Sequence, residues 1–239
     1  MNGPKSPRPG TASAAHTTPD APAAVSVQGF TLGPFATNCY IVRVGASRGC
    51  WIVDAGFDPG ELIDAVRDAG LTPRAVVLTH AHPDHIAGVR DVLAAFPATP
   101  IWIHRAEREW LVDPDLNLST LIGPPVTAPR ADRVLGGDET LELDGSRWRV
   151  FHTPGHSPGG ITLYNTEANL AIVGDTLFAG SVGRTDFPGS DAAALVRSIR
   201  ATLYTLPPRT RVLPGHGPET TIGEEMASNP YVPASGGEL

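Results

Sequence analysis

Three imidazoles and one carboxylate fall within six positions in the stretch Thr79-His80-Ala81-His82-Pro83-Asp84-His85. Burying such groups unpaired at the edge of a core is costly. A fold that accepts this stretch must therefore supply them with a common partner. Val76, Val77 and Leu78 run into it as a short apolar strand. Ile86 to Phe96 leaves it as an amphipathic helix, with Ile86, Val89, Val92 and Leu93 on one face. The cluster is thus expected at a strand-to-helix turn. An extended backbone aims His80 and His82 to one side. Asp84 and His85 are adjacent and are expected to reach in different directions, which suits two neighbouring metal ions better than one. A zinc-like ion, which prefers imidazole nitrogen and carboxylate oxygen, would satisfy the whole set.

The rest of the chain frames this turn. Residues 1–24 are rich in Pro, Ala, Ser, Thr and Gly with almost no large apolar side chains, a composition expected to stay disordered. His16 lies there and is not expected to be a ligand. Residues 25–239 read as one globular domain, and the 239-residue chain, 41% hydrophobic, has ample length for a core. A net charge of -7 argues against broad nucleic-acid or anionic-membrane binding, which needs basic stripes. No apolar run is long enough to span a bilayer and no secretory signal pattern opens the chain, so the cytoplasm is the expected location. Cys39 and Cys50 sit in apolar strand-like runs and are expected as buried free thiols.

Strands are expected at Val25–Leu32, Asn38–Val44 and Cys50–Val53, followed by a helix from Pro59 to about Ala69. Asp54, at the third strand's end, is expected to orient a ligating imidazole rather than to ligate. Beyond the cluster come a strand at Pro100–His104 and a short helix at Arg105–Val112. His104 falls outside any spaced cluster. Asp113 to Arg130 is a long loop whose Leu116, Leu118, Leu121 and Ile122 either wall a substrate pocket or pack the loop onto the core. Further strands are expected at Thr140–Leu143, Arg147–His152, Ile161–Asn165, Leu170–Val173 and Arg211–Leu213. Helices are expected at Asp191–Tyr204, with Ser190 as its N-cap, and at Thr221–Ser228. His152 is expected as a partly buried edge residue. Pro and Gly flank His156 and His216, which fixes rigid loops that present an imidazole. Asp175 ends an apolar strand. The candidate donors are therefore His80, His82, Asp84, His85, His156, Asp175 and His216, each at or just past a strand end.

His-x-His-x-Asp-His, then an isolated His in a Pro-Gly-His loop, then Gly174-Asp175-Thr176, then Gly215-His216-Gly217, resembles the metallo-β-lactamase-fold hydrolases across residues 25–239. The resemblance implies an α/β fold, a four-layer αβ/βα sandwich of two mixed sheets with metals at one sheet edge. It implies one ion on His80, His82 and His156, another on Asp84, His85 and His216, and Asp175 between them. The expected cofactors are two divalent ions, zinc first, with iron or manganese as alternatives. Two such ions bring four positive charges, against three negatives from Asp84, Asp175 and a hydroxide, so the site stays net positive and can hold hydroxide near neutral pH. The implied reaction is attack of that hydroxide on a carbonyl, with Asp84 orienting the water and returning a proton.

Within the superfamily, the commonest zinc β-lactamases carry Cys where this chain has Asp175, which disfavours antibiotic hydrolysis. The segments from Gly174 to Phe178 and from Gly183 to Phe187 are similar to glyoxalase II-like thioesterases of the short bacterial type. The implied partner is a small-molecule thioester such as S-lactoylglutathione, with no nucleic acid and no membrane. Arg184 is expected either to hold a substrate carboxylate or to brace its loop against Asp186. The Gly183–Phe187 segment is also similar to that of persulfide dioxygenases, whose single iron would sit on His80, His156 and Asp175. A lactone or other ester hydrolase of the same fold is a further alternative. So is a non-catalytic, metal-stabilised binding module, although a structural zinc is closed by four ligands and does not need seven.

Overall fold

Residues 24–234 are described by a computed structural model. The expected disordered tail, apart from Ala24, lies outside these residues, as does His16. The chain forms β1 (Val25–Leu32), β2 (Thr37–Val44), β3 (Gly49–Val53), α1 (Gly60–Asp68), β4 (Thr72–Val77), α2 (Pro83–Ile86), α3 (Val89–Ala95), β5 (Ile101–His104) and β6 (Arg133–Leu135). It continues with β7 (Thr140–Leu143), β8 (Ser146–His152), β9 (Ile161–Asn165), β10 (Leu170–Gly174), β11 (Leu177–Phe178), β12 (Ser181–Val182), α4 (Ala192–Ala201), β13 (Arg211–Pro214), β14 (Thr220–Thr221) and α5 (Ile222–Ser228).

Two six-stranded sheets result, ordered β1-β2-β3-β4-β5-β6 and β14-β13-β10-β9-β8-β7, with β11 and β12 as a separate hairpin. Both sheets are mixed. β3, β4, β5 and β6 run parallel beside an antiparallel β1-β2-β3 meander, and β10 pairs parallel with β13 in an otherwise antiparallel sheet. Alternation along the strands assigns each face. Tyr40, Val42, Trp51, Val53 and Val77 meet Trp148, Val150, Leu163 and Ile172 between the sheets. Cys39, Ile41, Cys50, Ile52 and Val76 turn the other way, against Leu62 and Val66 of α1 and Val89 and Val92 of α3. Ala171, Val173 and Val212 pack outward on Leu195 and Ile199 of α4 and Ile222 of α5. The layers are therefore helix, sheet, sheet, helix, the four-layer αβ/βα sandwich. Both cysteines are buried and free.

Several elements depart from the sequence expectation. β4 begins at Thr72 rather than in the apolar run, because Pro73 sits where the β3–β4 register shifts and needs no ladder hydrogen bond. The helix expected over Ile86–Phe96 is divided into α2 and α3 by Gly88. There the Gly88 N–H donates to Ala55 O at 2.8 Å, and a Cβ would strike the Gly56 carbonyl. Arg105–Val112 holds only a 3-10 turn at Arg105–Glu107. The N-cap of α4 is Asp191, whose carboxylate accepts the Ala194 N–H at 2.9 Å, while Ser190 Oγ donates to Phe187 O. The edge strand β6 and the β11–β12 hairpin were not expected. His152 is exposed, not partly buried, and stacks on buried His104 with ring centroids 4.0 Å apart.

Candidate metal centre

All seven candidate donors meet at one rim of the sandwich. His80 follows β4, His82 stands at the N-cap of α2, and Asp84 and His85 lie within it. His156, Asp175 and His216 follow β8, β10 and β13, which all point the same way. Three groups have donor atoms within 4.8 Å of one another: His80, His82 and His156; Asp84, His85 and His216; and His80, His85 and Asp175. Asp84 and His85 do not diverge as expected; Asp84 Oδ2 lies 3.5 Å from His85 Nε2. Both side chains leave the first turn of α2 and converge beyond it.

Asp175 spans the two triads. Its Oδ1 lies 3.4 Å from His85 Nε2, and its Oδ2 lies 3.5 Å from His156 Nε2 and 3.4 Å from His216 Nε2. Gly183 and Gly215 back it closely. A Cβ at Gly215 would collide with Asp175 Oδ1, and one at Gly183 with the Asp175 carbonyl and the His156 ring.

The imidazoles are held from behind. Asp54, at the end of β3, accepts His85 Nδ1–H at 2.8 Å, and its carboxylate also accepts the Thr79 N–H and hydroxyl, each at 2.7 Å. Asp54 does this at a φ of 59°, in the left-handed region that aspartate enters more readily than most non-glycine residues. His156 Nδ1–H donates to Arg184 O at 2.8 Å, and His216 Nδ1–H to Phe35 O at 3.2 Å. His80 Nδ1 lies 3.1 Å from Thr79 Oγ1. Each contact fixes a ring and leaves the other nitrogen facing the centre. Thr37 Oγ1 donates to Asp84 Oδ2 at 2.8 Å.

The carboxylates govern the charge state. Burial works against the charged form of His216, but Asp175 and Asp84 overcome it and raise its pKa to about 10. His85 is likewise raised, against its burial, by Asp84, Asp175 and Asp54. Burial, then the neighbouring His156, lowers His82 to about 3, and burial also keeps His80 well below the usual histidine value. For Asp84, burial pushes upward and His85 and His216 outweigh it, giving about 2. Two carboxylates thus demand positive charge while other imidazoles keep free lone pairs. Nε2 of His80, His82 and His85 and Asp175 Oδ1 are buried and find no hydrogen-bond partner among the described residues. His82 Nδ1 and His156 Nε2 approach to 2.8 Å, which calls for a proton or cation between them. The donor set fits a pair of divalent cations.

Sequence reasoning did not find Glu107. This carboxylate is fully buried, and its Oε2 accepts the Ala81 N–H at 2.5 Å and its Oε1 the Gly159 N–H at 2.6 Å. It joins the backbone between His80 and His82 to the loop carrying His156. Burial raises its pKa, and the Ser157 hydroxyl and those two amides pull it back. No local signal marks it, because its partners are 26 and 52 residues away. Thr37 and Thr79 were equally unmarked. Arg184 is exposed and engaged; Nε and Nη2 donate to the Asp186 carboxylate at 2.9 and 2.8 Å, and the guanidinium lies over the Phe187 ring at 4.3 Å. His104 stays outside all three donor groups.

A cavity of about 300 Å³ opens on the centre. Leu118, Leu121 and Ile122 line it, so this part of the long loop walls the pocket, whereas Leu116 is exposed elsewhere.

A four-layer sandwich with His and Asp clustered at the strand ends defines a class of metal-binding proteins. The chain belongs to the metallo-beta-lactamase superfamily, whose model matches residues 32–216. It is 40% identical over 202 residues to the probable metallo-hydrolase YqgX of Bacillus subtilis, covering 84% of this chain and 94% of the relative. It is 34% identical over 200 residues to the hydroxyacylglutathione hydrolase GloC of Haemophilus influenzae, covering 83% and 93%. The solved structure of the BLEG-1 B3 metallo-beta-lactamase superposes with a TM-score of 0.83 at 42% identity, covering 88% of this chain and all of that one. The family supports a metal-dependent hydrolase. No helix among the described residues is long and apolar enough to cross a membrane.

Proposed function

We propose that this protein is a metal-dependent hydrolase of thioesters of the glyoxalase II-like kind, with S-lactoylglutathione as its reference substrate. One observation carries the reading: Asp175 lies between two triads of donors that open onto one cavity. His80, His82 and His156 would hold one ion, Asp84, His85 and His216 the other, and Asp175 both. Zinc is the first choice and iron or manganese the alternatives, since the donors are imidazole and carboxylate. When bound, such a pair lowers the pKa of water and polarises a carbonyl oxygen.

The chain's own groups supply the rest. Asp84 is the half-buried carboxylate facing the cavity, and Thr37 fixes its Oδ2. Asp84 orients the attacking water and passes a proton to the departing thiolate sulfur. Asp54 and Glu107 keep the imidazoles in place. Asp186 already takes Nε and Nη2 of Arg184, so a substrate carboxylate would meet the guanidinium on its Nη1 side or in place of Asp186. The buried free thiols suit a reducing compartment, and we place the enzyme in the cytoplasm.

Protein loaded with zinc or iron should release thiol from S-lactoylglutathione, and chelation should abolish the release. Absence of turnover of every thioester by fully loaded protein would overturn the reading. The 42% identity to BLEG-1 favours one second reading, β-lactam hydrolysis. Ring opening of a β-lactam without thiol release from thioesters would select it. Oxygen uptake with glutathione persulfide by iron-loaded protein would instead select the dioxygenase.

A further inference from the structure

The walls of the cavity have a chemistry of their own. Besides the donor cluster, Leu118, Leu121, Ile122, Phe35, Phe178 and Phe187 line the cavity. Six large apolar side chains are exposed among the described residues, and three of them, Leu121 at 65%, Ile122 at 50% and Phe35 at 44%, line this one cavity. Apolar groups gathered in this way at a cavity mark a binding surface. Leu118 is buried there at a φ of 69°, a left-handed conformation that a leucine rarely adopts. The loop that presents these residues is pinned, since Asn117 Nδ2 donates to Trp110 O and Val126 O, each at 2.9 Å.

Charge is as informative as shape. Outside the donor cluster the charged lining residue is Arg184, and its ion pair with Asp186 is already made. A tripeptide thiol carries two carboxylates and an ammonium, and recognising it inside this space would need unpaired charges on the walls. Placing its charges against leucine and phenylalanine is costly. Thiol carriers are in general polar, so the part of a thioester that suits these walls is the acyl group, with the carrier left toward solvent.

Resting on the thioesterase reading above, the geometry points to thioesters with an apolar acyl group, a linear chain of about six carbons or an arylalkyl group, as the preferred substrates. Water adds to the carbonyl carbon, the C–S bond breaks, the thiol leaves with a proton, and the apolar carboxylate is the other product.

The test holds the thiol constant. Zinc-loaded protein is assayed on S-hexanoyl-, S-phenylacetyl- and S-lactoylglutathione, with kcat/KM normalised to each ester's alkaline hydrolysis rate. Calorimetry compares hexanoate with lactate binding. The expected result is a preference of about tenfold or more for the apolar esters, since each methylene in such a pocket is worth about that much. Hexanoate should bind and lactate should bind more weakly. Leu121→Gln with Ile122→Gln, both at exposed positions, should shrink the preference to about twofold or less. Equal or better turnover of the lactoyl ester overturns this inference and leaves the thioesterase reading standing. No turnover of any of the three overturns both.

Discussion

Asp54 satisfies three donors, and its value lies in His85. Without that acceptor, His85 can rotate or take the wrong tautomer. Asp54→Ala should therefore weaken metal binding by roughly 10- to 100-fold, the usual cost of losing a group that orients a ligand. Competition with a chromophoric chelator measures this. Glu107→Gln should act in the same direction, because one amide oxygen cannot accept both backbone N–H groups and its NH2 must face one of them. Affinity for metal should fall by about tenfold or more. An unchanged affinity with only a lowered Tm would make Glu107 a packing residue. The thiols give a separate check. Burial, and then Asp54, pushes Cys39 up to about 12, and burial raises Cys50 to about 12. A thiol reagent at pH 8 should label neither in the folded chain and both in denaturant, since the thiolate forms only well above that pH. Rapid labelling of folded protein would show these segments to be open.

Elements fix what single residues cannot. The strand–turn–helix around His80 to His85 was legible because its donors are close in sequence and its flanks have clear period. The long Ile86–Phe96 helix was misread because periodicity does not report that Gly88 must pass within contact of Gly56 and Pro59. The two-residue strands of the β11–β12 hairpin are too short to leave a pattern. The sequence allows Arg184 two roles because it cannot show that Asp186 folds back onto the guanidinium. The loop around His216 is tied to β2: Asn38 N–H donates to Gly215 O at 2.7 Å and Tyr40 OH to Pro214 O at 2.6 Å. Gly215 itself has no room for a side chain. Gly215→Ala should displace Asp175 and cut activity by about 100-fold or more, an effect of the size seen when reacting groups shift by an ångström. Thiol release measures it, with circular dichroism confirming the fold. Near-normal turnover would mean that the rim can relax.

At the scale of the molecule, two mixed sheets bring the ends of β3, β4, β8, β10 and β13 to one rim. Nothing local in the sequence brings His156 and His216 to His82 and Asp84; the order of the motifs, through their resemblance to a known family, did. The walls could be named but not assigned, because lining a pocket and packing a core ask for the same leucines. Without a cation the centre leaves buried nitrogens and a carboxylate oxygen unpartnered, so metal should stabilise the whole domain. At a thousandfold excess over Kd, binding contributes about 4 kcal/mol, which for a chain of this size raises Tm by roughly 10 °C. Thermal melts with and without chelator check this, and no shift would argue against a built-in site. The most direct measurement is an anomalous difference map from crystals of metal-loaded protein, recorded at the metal's absorption edge. Two peaks should appear, one against His80, His82 and His156 and the other against Asp84, His85 and His216, with Asp175 between them. A single peak, or peaks away from Asp175, would contradict the paired centre.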